Sequence, residues 1–284
     1  MKNLYVLFLL FAAISNIENP AFAATVGNPI DLDIPTKSAV LRQEAIGNTL
    51  DEYEEIVKIK ASLDLEFVFD KDLHATSEVT RAEVEGSWYM VKLGTTIFNR
   101  IEPYVKIGTS SFKVNWTQNS TTDINIESDS GFAWGGGLKG VIWEFEDLGL
   151  RFTGDVQYRT AQLDISDITL GGSSITDSGA DFEIKEWQAS IAMSKKFELP
   201  LRWQSVYIVP YTGVSLSDST VDAKFTDTND PGADRDLFNA NNDSIYGVFL
   251  GCDIMPSLAS LFAYSIELRL VSETALTLGG AMKF

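Results

Sequence analysis

The chain's one histidine, His74, follows Asp72 by two residues and precedes Ser77 by three. An aspartate beside a histidine can orient it as a general base, and a serine within its reach would become a nucleophile. The spacing here matches no nucleophile–base site, and the stretch reads as a polar loop with a solvated histidine. A second stretch, Asp227-Thr228-Asn229-Asp230-Pro231-Gly232-Ala233-Asp234-Arg235-Asp236, is crowded with the hard oxygen donors that calcium takes. It lacks the spacing and closing glutamate of an EF-hand. The one cysteine, Cys252, has no partner for an internal disulfide. No catalytic residue, cofactor site or resident metal is expected. Divalent cations enter only as candidate partners of acidic loops.

The elements that carry these residues are strands. Val57, Ile59, Ala61, Leu63, Leu65, Phe67 and Phe69 alternate with Lys58, Lys60, Ser62, Asp64 and Glu66. Side chains of a strand point to opposite faces in turn, so this segment has one apolar wall and one charged wall. Nine further segments follow, over about 86–98, 103–116, 131–143, 150–161, 182–197, 205–216, 245–254, 260–271 and 275–284. The fourth holds Gly135-Gly136-Gly137, where a kink or a close approach of another group is expected. In the sixth, the apolar phase changes between Ile184 and Trp187, which predicts a bulge. The apolar stretch Ile245–Ile266 is broken by Asp253 and Pro256 and alternates on both sides of them. It predicts two strands and a turn, not a membrane helix.

Both termini bear on where such strands would sit. Lys2, the apolar run Leu4–Ala13 and the small-residue pattern Ala21-Phe22-Ala23 make a secretory signal peptide over 1–23. Residues 24–55 form either a periplasmic N-terminal segment or a plug, with a short helix over Ser38–Ala45. At the other end, Leu276, Leu278, Gly280, Met282 and Phe284 line one face of a strand that runs to the last residue. The signal peptide, the alternating segments and this terminal pattern together resemble the broad class of small bacterial outer-membrane β-barrels, over about residues 56–284. The resemblance implies an all-β, antiparallel, up-and-down transmembrane barrel of ten strands, with eight or twelve as alternatives. It also implies that the terminal pattern is an assembly signal read by barrel-assembly machinery, and that outer-membrane lipid surrounds the strands.

Connection lengths support that reading. Segments 70–85, 117–130, 162–181 and 217–244 are long and alternate with short turns, as external loops and periplasmic turns do. Their net charges are −3, −3, −4 and −5, fifteen of the chain's eighteen net negative charges. A pI near 4.4 argues against nucleic acid as a partner. Inward positions mix both signs: Lys58, Lys60, Lys92, Lys106, Lys139, Arg151, Arg159 and Arg269 against Asp64, Glu66, Asp155, Glu186, Asp253 and Glu267. Buried charges must be paired or hydrated, so a narrow or closed lumen is expected. Aromatic girdles are expected from Tyr104, Trp143, Trp203, Tyr207 and Phe284 at the periplasmic side and Trp116, Trp134 and Tyr158 at the other.

The function that follows is a non-enzymatic surface barrel with a structural or binding role. A narrow cation-preferring pore is the alternative. An outer-membrane protease or lipid-modifying enzyme comes third. Omptins are ten-stranded outer-membrane proteases with an Asp–His pair. They carry that pair in a later loop than Asp72 and His74, so no residue role transfers.

Overall fold

The computed structural model describes residues 57–74, 79–118, 122–145, 148–175, 180–201, 205–226, 234–242, 245–256, 261–271 and 273–284. The signal peptide, the 24–55 segment, Ser77, Trp203 and most of the acidic stretch at 227–233 lie outside these residues. The strands in chain order are β1 (Val57–Asp70), β2 (Asp72–His74), β3 (Val79–Ile97), β4 (Ile101–Gln118), β5 (Thr122–Ser128), β6 (Gly131–Phe145), β7 (Leu150–Leu170) and β8 (Ser173–Ile175). They continue with β9 (Ala180–Lys195), β10 (Phe197–Pro200), β11 (Ser205–Thr226), β12 (Asp234–Asn242), β13 (Tyr246–Met255), β14 (Phe262–Leu270) and β15 (Thr274–Lys283).

Ten of these close on themselves, all antiparallel: β1–β3–β4–β6–β7–β9–β11–β13–β14–β15 and back to β1. Closure removes every sheet edge, which matters because hydrocarbon cannot satisfy an open row of backbone groups. The ten predicted segments are these ten strands. Within the apolar stretch 245–266, Tyr246–Met255 is β13 and β14 begins at Phe262, two strands as expected. Among the described residues no helix is long and apolar enough to cross a membrane.

Above this ring the chain does something the alternation does not reveal. Strands β3, β4, β7 and β11 run well past the membrane-length segments into regions that read as loops. There β5 bridges β4 and β7, while β12 bridges β11 and β2, and β2 pairs with β3. The result is a second closed ring of eight strands, β2–β3–β4–β5–β7–β9–β11–β12. On β11, β13 pairs up to Leu216 and β12 takes over from Thr220. Strands β12 and β2 thereby replace β13, β14, β15 and β1, which explains why the last hairpin is short.

The two rings have opposite polarity. In the lower one, exposed Leu93, Val105, Ile107, Leu138, Val156, Ile191 and Val214 face outward, and charged side chains face in. In the upper one, Val84, Phe112, Val114, Ile126, Leu163, Phe182, Ile184 and Val221 pack into one buried core. Glu83, Glu85, Asp123, Glu127, Asp164 and Lys185 are then exposed outside. The predicted bulge in β9 is therefore a misreading: its register runs unbroken from Ala180 to Ser194 on β11. Ile184 faces the upper core and Trp187 the exterior, so the apolar phase changes because the surroundings change, with no extra residue.

The inversion coincides with an aromatic row. Trp134 and Tyr158 pack edge to face at 6.1 Å, and Phe67 and Tyr89 at 6.0 Å, with Trp187 half exposed beside them. A second row near the short turns contains Phe98, Trp143, Phe145, Phe197 and Phe284. Trp134 and Trp143 are nine residues apart on β6. At about 3.3 Å per residue and a tilt of about 40°, the rows are separated by roughly 23 Å, close to the apolar band of such barrels. Tyr104, Trp116 and Tyr207 do not join the girdles as expected, because all three point inward and are buried.

Candidate functional site

The interior of the lower ring is the densest chemistry in the molecule. Among the described residues, eight cationic and eight anionic side chains are buried. They form layers. Nearest the short turns, Arg151 donates through Nε and Nη2 to Glu144 at 3.0 and 2.7 Å. One level up, Glu102 accepts from Lys60 at 3.2 Å and Thr96 at 3.0 Å, with Lys92 at 3.7 Å. Above that, Tyr104 donates to Asp155 at 2.9 Å, and Lys106 lies 3.4 Å from Asp64 and donates to Gln157 at 3.2 Å.

The top layer bridges the whole width. Arg159 on β7 donates to both oxygens of Glu66 on β1, each at 2.9 Å, and to Glu186 on the neighbouring β9 at 3.2 Å. Strands β1 and β7 are four places apart one way around the ring and six the other, so this bidentate pair spans the lumen. Arg269 from β14 reaches the same Glu66 at 2.9 Å and Glu273 at 2.7 Å. The Arg159 guanidinium also lies 4.1 Å over the Trp88 ring. A further buried bond runs from Lys71, between β1 and β2, to Ser219 on β11 at 2.7 Å. An arginine suits this place because its fork serves two carboxylates at fixed angles and stacks on an aromatic face.

Four large rings pack the wall by the same device. Phe112 lies over Gly86, Tyr104 over Gly137, Phe249 over Gly213 and Tyr211 over Gly251, each a directly opposed cross-strand pair. A side chain at the glycine would occupy the ring's place. The expected close approach at the Gly135-Gly136-Gly137 run is thus found at Gly137, where an added Cβ would stand 2.5 Å from the Tyr104 hydroxyl and 2.6 Å from the Val156 carbonyl oxygen. Gly137→Val is expected to displace Tyr104 from Asp155 and destabilise the barrel by about 1–3 kcal/mol. Urea unfolding in lipid vesicles, followed by tryptophan fluorescence, checks it.

Of the predicted inward charges, all are buried except Lys58, which is partly exposed. Three buried participants were missed. Glu102 reads as a turn residue, and Lys71 and Glu273 read as loop, yet all three are fully buried. Glu273 is at the tip of the β14–β15 hairpin beside Val271, whose φ of 79° is strained for a β-branched residue. The Arg269–Glu273 ion pair holds that tip down. The terminal pattern is a strand: in β15, Leu278, Gly280 and Met282 continue the outward face, and exposed Phe284 donates its N–H to the Ile59 carbonyl at 3.1 Å. His74 lies in β2 opposite Asn241 of β12.

On the exterior of the upper ring, carboxylates face one another across strands, Glu127 opposite Asp167 and Glu183 opposite Asp222. Such pairs repel. Lys113 lies 2.8 Å from Glu127, and Lys185 lies 2.6 Å from Glu183. Each glutamate holds its lysine's ammonium above the ordinary lysine range by hydrogen bonding.

Comparison with protein-family models gives no match, and comparison with curated proteins gives none either. Among solved structures, the chain is similar to the outer membrane protease OmpT from Escherichia coli, at 7% identity over 81% of this chain and 95% of that one, with a TM-score of 0.41. It is also similar to the translocator domain of the autotransporter NalP from Neisseria meningitidis, at 11% identity over 92% and 100%, with a TM-score of 0.36. A third is the outer membrane protein OprG from Pseudomonas aeruginosa, at 10% identity over 81% and 96%, with a TM-score of 0.33.

Proposed function

We propose that this chain is a sealed, non-enzymatic outer-membrane barrel that carries a solid acidic β-extension outside the cell. The ten-stranded ring spans the bilayer, with the short turns and both ends of the barrel sequence in the periplasm. The eight-stranded ring stands above the membrane as a rigid post with an apolar core. The observation that carries the reading is the Arg159–Glu66 pair, which joins nearly opposite walls at 2.9 Å. A wide water-filled channel would leave its lining hydrated, whereas these side chains are 2% exposed.

The role is a structural or binding one at the surface. The outer wall of the post suits cationic partners, divalent cations included, since opposed carboxylates there gain most from a shared counter-charge. The pore alternative needs a path past the Glu66–Arg159–Glu186 layer and then through the apolar core above it. The enzyme alternative needs a cleft at the outer end, where the interior is instead filled by Val114, Ile126, Leu163, Phe182 and Val221. Planar-bilayer conductance of the purified mature chain tests the proposal: no defined current steps are expected.

A further inference from the structure

At the short-turn end of the barrel one strand edge is left open. Strand β10 continues β9 against β11 in a single register, since Ser194 opposes Tyr211 and Phe197 opposes Ile208. The strand on the other side of β9 does not reach as far: β7 begins at Leu150, opposite Lys195. From Phe197 to Pro200, β10 therefore has a ladder partner in β11 alone among the described residues. Alternate N–H and C=O groups along it face the open side, a template for one more extended segment. Exposed Phe197 and Leu199 line its outer face, with exposed Leu201 just beyond. Pro200, which has no N–H to give, suits an edge.

We infer that the chain's own N-terminal segment completes this edge, with Ile30–Ile34 added beside β10 as a further strand. The pattern selects the occupant first. Pro29-Ile30-Asp31-Leu32-Asp33-Ile34-Pro35 alternates apolar and acidic residues between two prolines. Pro35 favours an extended Ile34, and a proline at each end limits a ladder to the residues between, a run about as long as the four residues of β10. Charge agrees. Residues 195–205 carry Lys195, Lys196 and Arg202 against Glu198, whereas Ile30–Ile34 carries only Asp31 and Asp33. With Ile30, Leu32 and Ile34 continuing the apolar outer face, both aspartates fall on the face of Lys196, whose Nζ lies 4.6 Å over the Tyr207 ring. The carboxylate of β10 itself, Glu198, is engaged by the Ser205 hydroxyl at 2.5 Å. Reach agrees too. Strand β1 begins at Val57, opposite Ile97, at the same end of the ring, and β9 stands five places from it by way of β3. Ten strands about 4.8 Å apart and tilted about 40° make a ring roughly 20 Å across. Residues 36–56 can span that, since extended backbone covers about 3.3 Å per residue. The tether also favours this copy of the segment over a second molecule's. The segment is then a strap beneath the barrel mouth, and it does not enter the lumen.

The test is disulfide trapping in the mature chain, refolded into vesicles, with Cys252→Ser to remove the native thiol. Leu199→Cys on the exposed face of β10 is combined in turn with Ile30→Cys, Leu32→Cys and Ile34→Cys, then oxidised with copper phenanthroline. Neighbouring strands bring Cα atoms within the reach of about 7 Å that a disulfide needs. At least one of the three pairs is expected to close within the chain. The same three positions paired with Phe98→Cys, exposed at the β3–β4 turn elsewhere on the rim, are expected to stay reduced. Hydrogen exchange gives a second measurement that needs no cysteine. The edge-facing amides between Phe197 and Leu201 are expected to be protected in the wild-type mature chain and to lose that protection in Leu32→Pro, while the β9–β11 amides keep theirs. No internal disulfide at Leu199→Cys, or equal yield at Phe98→Cys, would overturn the inference. So would unchanged exchange in Leu32→Pro, which decides the matter if the paired cysteines prevent folding. Disulfides only between molecules would assign the edge to a second copy. None of these outcomes touches the sealed lumen, which conductance tests separately.

Discussion

Replacing Arg159 with methionine is expected to destabilise the barrel by about 3–5 kcal/mol, the cost of stranding buried charge. The guanidinium serves Glu66 and Glu186 at once and covers the Trp88 ring. Without it, Glu186 loses its partner on β7, and Glu66 loses the two-pronged contact that ties it across the lumen. Arg159→Lys is expected to recover little, because an ammonium cannot reproduce two planar, two-pronged contacts or the stacking. Adding Glu66→Gln to Arg159→Met is expected to cost much less than Glu66→Gln does alone, since the two share one network. Urea unfolding in vesicles measures all four variants, the two at Arg159, Glu66→Gln alone and the double. A loss below about 1 kcal/mol for Arg159→Met would be the value of a solvated surface pair and would mean that the layer is wet.

Deleting Phe284 is expected to have the larger effect in cells and a small one in vitro. The residue is 71% exposed, so little packing is lost with it. Its backbone N–H on the Ile59 carbonyl is the last bond where the first and last barrel strands meet. If the alternating terminus is read during assembly, the shortened chain should fail to reach the outer-membrane fraction while still refolding into vesicles. Cell fractionation beside in vitro refolding separates the two effects. Normal assembly of the shortened chain would remove the recognition role, and failure in both settings would make Phe284 a stability residue.

The membrane ring was legible in the sequence because lipid imposes a strict period of two on its outer face. Leu150, Phe152, Val156 and Tyr158 against Arg151, Thr153, Asp155, Gln157 and Arg159 could be assigned inside and outside from alternation alone. The upper ring was hidden for the same reason in reverse. Once β9 leaves the bilayer, its apolar residues turn inward, and the unchanged strand looks like a slipped one between Ile184 and Trp187. Strands β12 and β2 were hidden differently. Asp234–Asn242 and Asp72–His74 carry polar, loop-like residues, and only pairing with β11 and β3 makes them strands. Glu102, Lys71 and Glu273 were missed because charge near a turn ordinarily means solvent. Here the turns fold back over a lumen that needs counter-charges. The histidine offered nothing further, since Asp72-x-His74 falls on a short bridging strand.

The sealed lumen is the claim on which the rest depends, and single-channel recording in planar bilayers tests it most directly. The wild-type mature chain is expected to give a silent baseline, because Arg159, Glu66, Trp88 and the apolar core above them close the path in series. Reproducible, cation-selective steps from the folded wild-type barrel would contradict it.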